Sequence, residues 1–169
     1  MPNNTQILIV EDDLIVAQSI KTHLNTLGYQ VPAMETSGEA AIQKAKEVQP
    51  DLILMDIKLS GKMDGVEAAA EIRSCFNIPV VYLTAYADEE TLGRAKITEP
   101  FGYILKPFGV KDLHSTIEMA LYKYSTDKER AQAEAALHDS EYRYKQLLEA
   151  AFRHIGFSNE VNINLFFSV

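Results

Sequence analysis

Four carboxylates stand directly after short apolar runs of the sequence, where predicted strands end. Glu11, Asp12 and Asp13 follow the first run, and Asp56 follows the third. Because ligands of open α/β sheets bind at the carboxyl ends of the strands, we expect these carboxylates to meet at one edge. Converging carboxylates repel each other unless a cation lies among them, and oxygen ligands suit Mg²⁺. Acidic strand ends also arise simply because they face water and helix N-termini, so the cluster alone leaves both interpretations open.

A hydroxyl and an ammonium group follow two further apolar runs. Thr84 ends the fourth run, and Lys106 ends the fifth. At a phosphoryl-binding site a metal ion and a lysine neutralise phosphoryl oxygens, a hydroxyl donates a hydrogen bond, and a carboxylate is the nucleophile. Each residue alone is common at a protein surface. Their joint occurrence at successive strand ends predicts a phosphoryl-binding site.

Apolar strands alternate with amphipathic helices through the first 125 residues. This alternation predicts an α/β fold, a doubly wound five-stranded parallel sheet with helices on both faces. Pro32 favours an edge position for the second strand, because proline has no N–H to donate. The predicted strands cover residues 6–10, 29–34, 52–55, 79–83 and 101–105, and the predicted helices cover residues 14–27, 37–47, 66–75, 88–96 and 109–124.

The composition changes after residue 125. Residues 125–149 are rich in strong helix formers, and neither Gly nor Pro occurs before Gly156. The apolar stripe of this C-terminal helical extension is thin, which is typical of a helix that pairs with another helix or of a solvated one. Two-fold pairing would bury the same stripe of both chains, so we expect a homodimer through this helix. The stripe consists of Ala131, Ala135, Leu137, Tyr144, Leu147 and Leu148.

The charge and composition of the chain argue against several classes of protein. The formal net charge of -8 argues against a nucleic-acid-binding surface. Cys75 is the single cysteine, so an internal disulfide is impossible. No apolar run is long enough to span a bilayer, and the N-terminus lacks a signal-peptide pattern. We therefore expect a cytoplasmic protein that contacts neither nucleic acid nor membrane.

Four blocks of the sequence resemble the signature of response-regulator receiver domains of two-component systems. They read ILIVED at residues 7–12, LILMD at 52–56, LTA at 83–85 and LKPF at 105–108. The resemblance covers about residues 5–125. It implies the flavodoxin-like strand order 2-1-3-4-5.

The resemblance also implies roles for the acidic residues. Asp56 would be the phosphoacceptor, and Glu11 and Asp12 match the acidic pair that holds Mg²⁺, with Asp12 as the direct ligand. The backbone carbonyl of Lys58 would be a further ligand. The loop after Asp56 departs from the family pattern, because it has no proline four residues on and is a residue or two longer than usual.

Three further positions match the family pattern. Thr84 and Lys106 would contact the phosphoryl group, and Tyr103 matches the aromatic switch position. Lys106 and Pro107 match a peptide bond that is cis in the family, and proline lowers the free-energy difference between cis and trans to roughly 0.5–1 kcal/mol.

A weaker resemblance concerns the end of the chain. Residues 139–149 resemble the helix that leads into a PAS sensory domain, although too few residues follow for a core of roughly 100 residues. We therefore expect a receiver domain at 1–125, a helical linker or signalling helix at 126–150, and an incomplete PAS-like start or degenerate tail at 151–169.

The implied function is a phosphorylation-controlled switch. A sensor histidine kinase would donate the phosphoryl group of its phosphohistidine to Asp56 with Mg²⁺, and the surface made by helix four, strand five and helix five would change. Phosphotransfer and autodephosphorylation would be self-catalysed, so the chain is not expected to be an enzyme in the ordinary sense. The alternatives are an interaction module that works without phosphate, or a fragment of a larger receiver–PAS hybrid.

Other phosphate chemistries fit the sequence less well. Phosphatases of the haloacid-dehalogenase type carry a second acid two residues after the nucleophile, where this chain has Lys58. The acidic segment at residues 12–13 would repel the phosphate of a flavin, and no GxxxxGK loop indicates a nucleotide hydrolase. No ATP-binding domain follows His138, so a histidine kinase is unsupported.

Overall fold

A computed structural model describes residues 4–85 and 89–154, with residues 89–92 as backbone only. Over these ranges five strands alternate with five helices. The strands are β1 (Ile7–Val10), β2 (Met34–Glu35), β3 (Leu52–Asp56), β4 (Val80–Thr84) and β5 (Gly102–Leu105), and the helices are α1 (Leu14–Thr26), α2 (Gly38–Val48), α3 (Gly65–Phe76), α4 (Glu89–Ile97) and α5 (Val110–His154). The sheet is entirely parallel and has the order β2-β1-β3-β4-β5, so the predicted flavodoxin-like fold is confirmed.

The register of the sheet aligns the carboxyl ends of the central strands. Val10 pairs with Met55 across β1 and β3, and Asp56 pairs with Leu83 across β3 and β4. Thr84 pairs with Leu105 across β4 and β5. Because these pairs are level, the residues that end or follow the four strands all emerge at one edge of the sheet.

The second strand is shorter than the sequence predicts. It covers only Met34–Glu35, whereas the apolar pattern indicated residues 29–34. Pro32 interrupts the predicted strand, because proline supplies no N–H to a sheet. Upstream of it, Gln30 forms only an isolated bridge with Gln6. The predicted start of the fourth helix at residue 88 lies outside the described residues.

Two apolar layers cover the sheet. Alternate residues of β1 and β3 face opposite sides, and Ile7, Leu8, Ile53 and Leu54 are fully buried. One layer includes side chains of α2, α3 and α4, and the other includes side chains of α1 and of α5 from Leu113 to Ala120. Fully burying an aliphatic side chain stabilises a fold by roughly 1.5–3 kcal/mol, so both layers support the strands that carry the polar edge.

Side-chain caps fix where several helices begin, among them α1 and α3. The Asp13 carboxylate accepts hydrogen bonds from the backbone N–H groups of Ile15 at 2.8 Å and Val16 at 3.2 Å, which starts α1. Asp64 caps α3 and forms a capping box with Glu67. Such caps satisfy N–H groups that have no partner within the helix, each stabilising it by about 1 kcal/mol.

The chain divides into two compact units, Met1–Ser125 and Thr126–Val169. In the second unit the described helix, up to His154, is largely exposed: Leu137 is 62% exposed, Tyr144 62% and Leu147 69%. Ion pairs of the i,i+4 type join Arg130 to Glu134 and Arg143 to Asp139. The expected tail at 151–169 falls outside the described residues from residue 155 onward.

None of the helices in the described part of the chain is long and apolar enough to cross a membrane.

Candidate functional site

Three carboxylates converge at the edge of the sheet. Glu11 and Asp12 follow β1, Asp56 ends β3, and one carboxylate oxygen of each lies within 4.8 Å of the others. Glu11 is 1% exposed and Asp56 is 7% exposed, so water screens their charges poorly. Such a cluster is stable only if cations neutralise it.

Lys106 supplies one positive charge to this cluster. Its Nζ atom lies 2.6 Å from Glu11 Oε2 and 2.6 Å from Asp56 Oδ2, so one ammonium bridges two acids. Burial alone would lower the pKa of Lys106, but hydrogen bonds to Asp56 and Glu11 outweigh it and the pKa lies above the usual value. Burial also raises the pKa of Glu11, even though Lys106 opposes that shift. The bridge holds the ends of β1, β3 and β5 together.

Asp12 is held by the loop that follows β3. Its Oδ2 atom accepts a hydrogen bond from the backbone N–H of Ser60 at 3.0 Å and a second, short one from the Ser60 hydroxyl. The hydroxyl bond is the main reason that the pKa of Asp12 lies below its usual value. Sequence reasoning missed Ser60, because no spacing rule shows where a loop of this length turns back.

Asp13 has a different task from its two neighbours. Its carboxylate is committed to the first N–H groups of α1, and the cluster of converging carboxylates does not include it. Three consecutive acids left open which of them could bind a cation, and the cap accounts for the third.

Lys58 in the following loop and Gly65 at the start of α3 both contact Asp56. The backbone N–H of Lys58 donates to Asp56 Oδ1 at 3.1 Å. Gly65 packs so closely that a Cβ atom there would overlap the backbone carbonyl oxygen of Asp56. The Gly65 N–H also donates to the Ile57 carbonyl at 3.1 Å. Gly65 is a second residue that the sequence did not single out, although a glycine directly after a helix-capping Asp is a usable signal.

Thr84 and Lys106 border the same small cavity as Asp56. The cavity has a volume of about 70 Å³, and Thr84 is 3% exposed. The Lys106 backbone N–H donates to the Thr84 carbonyl at 2.7 Å, which ties the ends of β4 and β5 together. The Lys106–Pro107 peptide bond is cis. The lining residues are Asp56, Ile57, Lys58, Thr84, Ala85 and Lys106.

Tyr103 lies on β5, the strand that Lys106 follows. Its ring packs on Tyr82 with the centroids 5.8 Å apart. The Tyr82 hydroxyl and the Thr98 hydroxyl are hydrogen-bonded at 2.8 Å. The Tyr103 hydroxyl is buried without a hydrogen-bond partner among the described residues, and burial raises the pKa of Tyr103. The aromatic side chain at the predicted switch position is therefore already turned inward here.

The chain belongs to the family of response regulator receiver domains, whose family model matches residues 7–118. Among curated proteins it is similar to the transcriptional regulatory protein PdtaR of Mycobacterium tuberculosis, with 33% identity over 119 residues. That match covers 70% of this chain and 58% of PdtaR, so the chain spans little more than half of this relative.

Two solved structures show the same fold. The receiver domain of a modulated diguanylate cyclase from Desulfovibrio desulfuricans G20 is 40% identical with a TM-score of 0.71, and the match covers 74% of this chain and 99% of that one. The receiver domain of the sensor histidine kinase PA1611 from Pseudomonas aeruginosa PAO1 is 30% identical with a TM-score of 0.64, covering 70% of this chain and 98% of that one. The latter structure has a magnesium ion coordinated in the active-site cleft.

The donor set at the sheet edge fits a magnesium ion. Receiver domains bind Mg²⁺ at an acidic site, and here Glu11, Asp12 and Asp56 offer three converging carboxylates. All three are oxygen ligands, which Mg²⁺ prefers, and Lys106 neutralises only part of their charge. The residues present therefore match the cation that the family uses.

Proposed function

We propose that this chain is a phosphorylation-controlled switch in which Asp56 is the phosphoacceptor. The observation that carries the proposal is the Lys106 bridge, because it places an ammonium 2.6 Å from the carboxylate of the buried Asp56. Asp56 would attack the phosphorus of a phosphohistidine on a partner sensor histidine kinase. The P–N bond breaks, a P–O bond to the carboxylate forms, and the kinase's imidazole leaves.

Each polar residue of the cleft has a role in this transfer. Lys106 would pair with a phosphoryl oxygen, and the Thr84 hydroxyl would donate a hydrogen bond to another. Glu11, Asp12, Asp56 and the Lys58 backbone carbonyl would hold Mg²⁺. The bound cation would neutralise charge on the phosphoryl oxygens. The chain would catalyse its own phosphotransfer and autodephosphorylation without being an enzyme in the ordinary sense.

Phosphoryl labelling tests the assignment of Asp56. Acetyl phosphate with Mg²⁺ should add one phosphoryl group to the full chain, and hydroxylamine should remove that group. Asp56→Asn should abolish the labelling, because an amide is not a nucleophile. Asp127→Asn, an exposed aspartate on α5, is the matched control and should label normally. Labelling that persists in Asp56→Asn would refute the assignment.

The output of the switch would be a change in packing around Tyr103. Phosphoryl oxygens at Asp56 would draw the Thr84 hydroxyl inward and favour one packing of Tyr103 and Tyr82 beneath the surface of α4, β5 and α5. Since the Tyr103 hydroxyl is already buried in this structure, phosphorylation would raise the population of an inward state rather than create it. Tyr103 amide and ring NMR signals should shift with beryllofluoride and Mg²⁺, and Thr84→Ala should lose that shift. A chain that shows no shift at all would be an interaction module that works without phosphate.

The receiver domain would be one part of a longer signalling protein. The curated relative above is longer than this chain, and one similar receiver belongs to a diguanylate cyclase. The proposed division is a receiver at 1–125, a signalling helix at 126–150 and a PAS-like start or degenerate tail at 151–169.

We also propose a cytoplasmic location and no contact with nucleic acid or membrane. The net charge of -8 and the kinase partner that receivers use support this proposal.

Homodimerisation through the helix of the second unit is supported by its exposed apolar side chains. Leu137 and Leu147 lie on this helix, and each is more than half exposed. An isolated helix with so little burial is marginal in water, and pairing with a second copy would stabilise it. Light scattering should show a dimer that Leu137→Lys with Leu147→Lys dissociates. The alternative dimer face is the surface made by α4, β5 and α5, where Ile97 on α4 is exposed. A dimer that only Ile97→Lys disrupts would contradict the proposal.

A further inference from the structure

The loop between β3 and α3 contacts the acidic cluster through Ser60. Both donors of this residue, the backbone N–H and the hydroxyl, converge on one atom, Asp12 Oδ2. The Ser60 side chain is exposed and belongs to neither apolar layer. The contact with Asp12 is therefore a polar one, and packing does not explain it.

Asp12 needs such a contact more than the other two carboxylates do. Glu11 and Asp56 are buried and bridged by Lys106, whereas Asp12 is only partly buried. A partly exposed carboxylate samples several rotamers, and a metal ion that binds it must select one of them. Fixing the rotamer beforehand removes that entropic penalty from binding.

We propose that Ser60 is a positioning residue for the divalent cation, which holds the Asp12 carboxylate in its place within the Glu11, Asp12 and Asp56 cluster before the cation binds. This inference rests on the proposed function, since it concerns the Mg²⁺ of that same site. Outer hydrogen-bond partners of metal ligands typically contribute 10–100-fold to metal affinity. Ser60 would also make cation binding sensitive to the conformation of the 57–64 loop.

A positioning role and a competing role of Ser60 predict opposite changes in Mg²⁺ affinity when the Ser60 hydroxyl is removed. If the two Ser60 donors merely compete with the cation for Asp12 Oδ2, removing the hydroxyl would tighten Mg²⁺ binding. If they position Asp12, removing the hydroxyl weakens it. A residue that only stabilises the loop would change the unfolding transition and leave the Mg²⁺ affinity unaltered.

The test is a Mg²⁺ titration of the full chain followed by amide NMR shifts. Ser60→Ala should weaken the Mg²⁺ affinity by about 10-fold. Ser60→Thr keeps the hydroxyl and should bind within about 3-fold of the wild type, because the outer-shell hydrogen bond is retained. Ser74→Ala is the matched control, since Ser74 is an exposed serine on α3 whose hydroxyl is near the Glu71 carbonyl and Cys75 and, within the described residues, away from the acidic cluster. An unchanged or tightened affinity of Ser60→Ala overturns the proposal.

Two further measurements keep the test independent of folding defects. In the Asp12→Asn background, Ser60→Ala should have no additional effect on affinity, because the carboxylate that it positions is gone. In the wild type, Mg²⁺ should leave the Ser60 amide at least as protected from hydrogen exchange as before, and loss of that protection overturns the proposal. If Asp12→Asn weakens binding while Ser60→Ala does not, the Mg²⁺ site stands and only the role of Ser60 fails. If the wild type binds no Mg²⁺, both the site and this inference are wrong.

Discussion

Replacing Lys106 by methionine tests the electrostatic balance of the cleft. The change preserves most of the side-chain volume and removes the ammonium that lies 2.6 Å from both Glu11 and Asp56. Counting side-chain atoms alone, Glu11 is 1% and Asp56 10% exposed, so solvent would compensate little for the loss. Removing one partner of a buried ion pair typically costs 3–5 kcal/mol, and we expect Lys106→Met to lower the free energy of unfolding by about that amount at pH 7 without Mg²⁺.

The free energy of unfolding that Lys106→Met loses should become smaller at acidic pH. The folded-state pKa of Glu11 is raised above its ordinary value of 4.5 by burial, and Lys106 opposes the rise. Removing Lys106 therefore raises that pKa further. A carboxyl group whose pKa is higher in the folded than in the unfolded state makes the protein more stable at low pH than at high pH. This stabilisation is complete below the pKa of the unfolded state and is lost as the pH rises through the pKa of the folded state. The difference between wild type and Lys106→Met should consequently narrow as the pH falls from 7 towards 4.5.

Urea unfolding followed by far-UV circular dichroism measures both effects. Lys111→Met, an exposed lysine on α5, is the control and should stay within about 0.5 kcal/mol of the wild type. Mg²⁺ should rescue Lys106→Met, because a cation that binds only the folded state at 100 times its Kd stabilises by about 2.7 kcal/mol. A loss below about 1 kcal/mol, or one that does not narrow in acid, would refute the argument that Lys106 neutralises the cluster.

Three further substitutions probe the frame of the site. Gly65→Ala places a Cβ against the Asp56 carbonyl, so it should destabilise the domain by more than about 2 kcal/mol in urea unfolding and reduce acetyl phosphate labelling of Asp56. Asp13→Ala removes the α1 cap and should lower the free energy of unfolding by about 1 kcal/mol while Mg²⁺ affinity, measured by titration, stays constant. Tyr103→Phe removes a buried hydroxyl that has no partner among the described residues, and thermal unfolding should show a gain of about 1 kcal/mol.

The site residues that can be predicted from the sequence are those that lie at the ends of strands. Glu11, Asp56, Thr84 and Lys106 end or follow strands, and the parallel register fixes strand ends relative to each other with little influence from the loops. Alternating apolar strands and helices therefore suffice to place all four at one edge. The strand order itself was implied by the resemblance to receiver domains, and the sheet has that order.

Features that depend on loop paths were missed or misplaced. Ser60 reaches Asp12 from 48 positions away, through a loop whose turn no local rule specifies. The prediction of a second strand over residues 29–34 was wrong in its extent. The apolar pattern continues through Pro32, but proline lacks the N–H that sheet pairing needs. The sequence does not distinguish the roles of the three consecutive acids at 11–13. The position at which α1 begins shows that Asp13 is its N-cap.

The charge balance of the cleft links its two proposed ligands. Three carboxylates and one ammonium leave a formal charge of -2, which one divalent cation neutralises. The proposed phosphoryl group on Asp56 would bring further negative charge, and Lys106 could not neutralise it while also pairing with both Glu11 and Asp56. The cation would therefore have to be present before the proposed phosphoryl group is favourable, and by linkage a phosphorylated Asp56 would bind the cation more tightly. Ser60 belongs to this balance because the carboxylate that it holds, Asp12, is the one that Lys106 does not bridge.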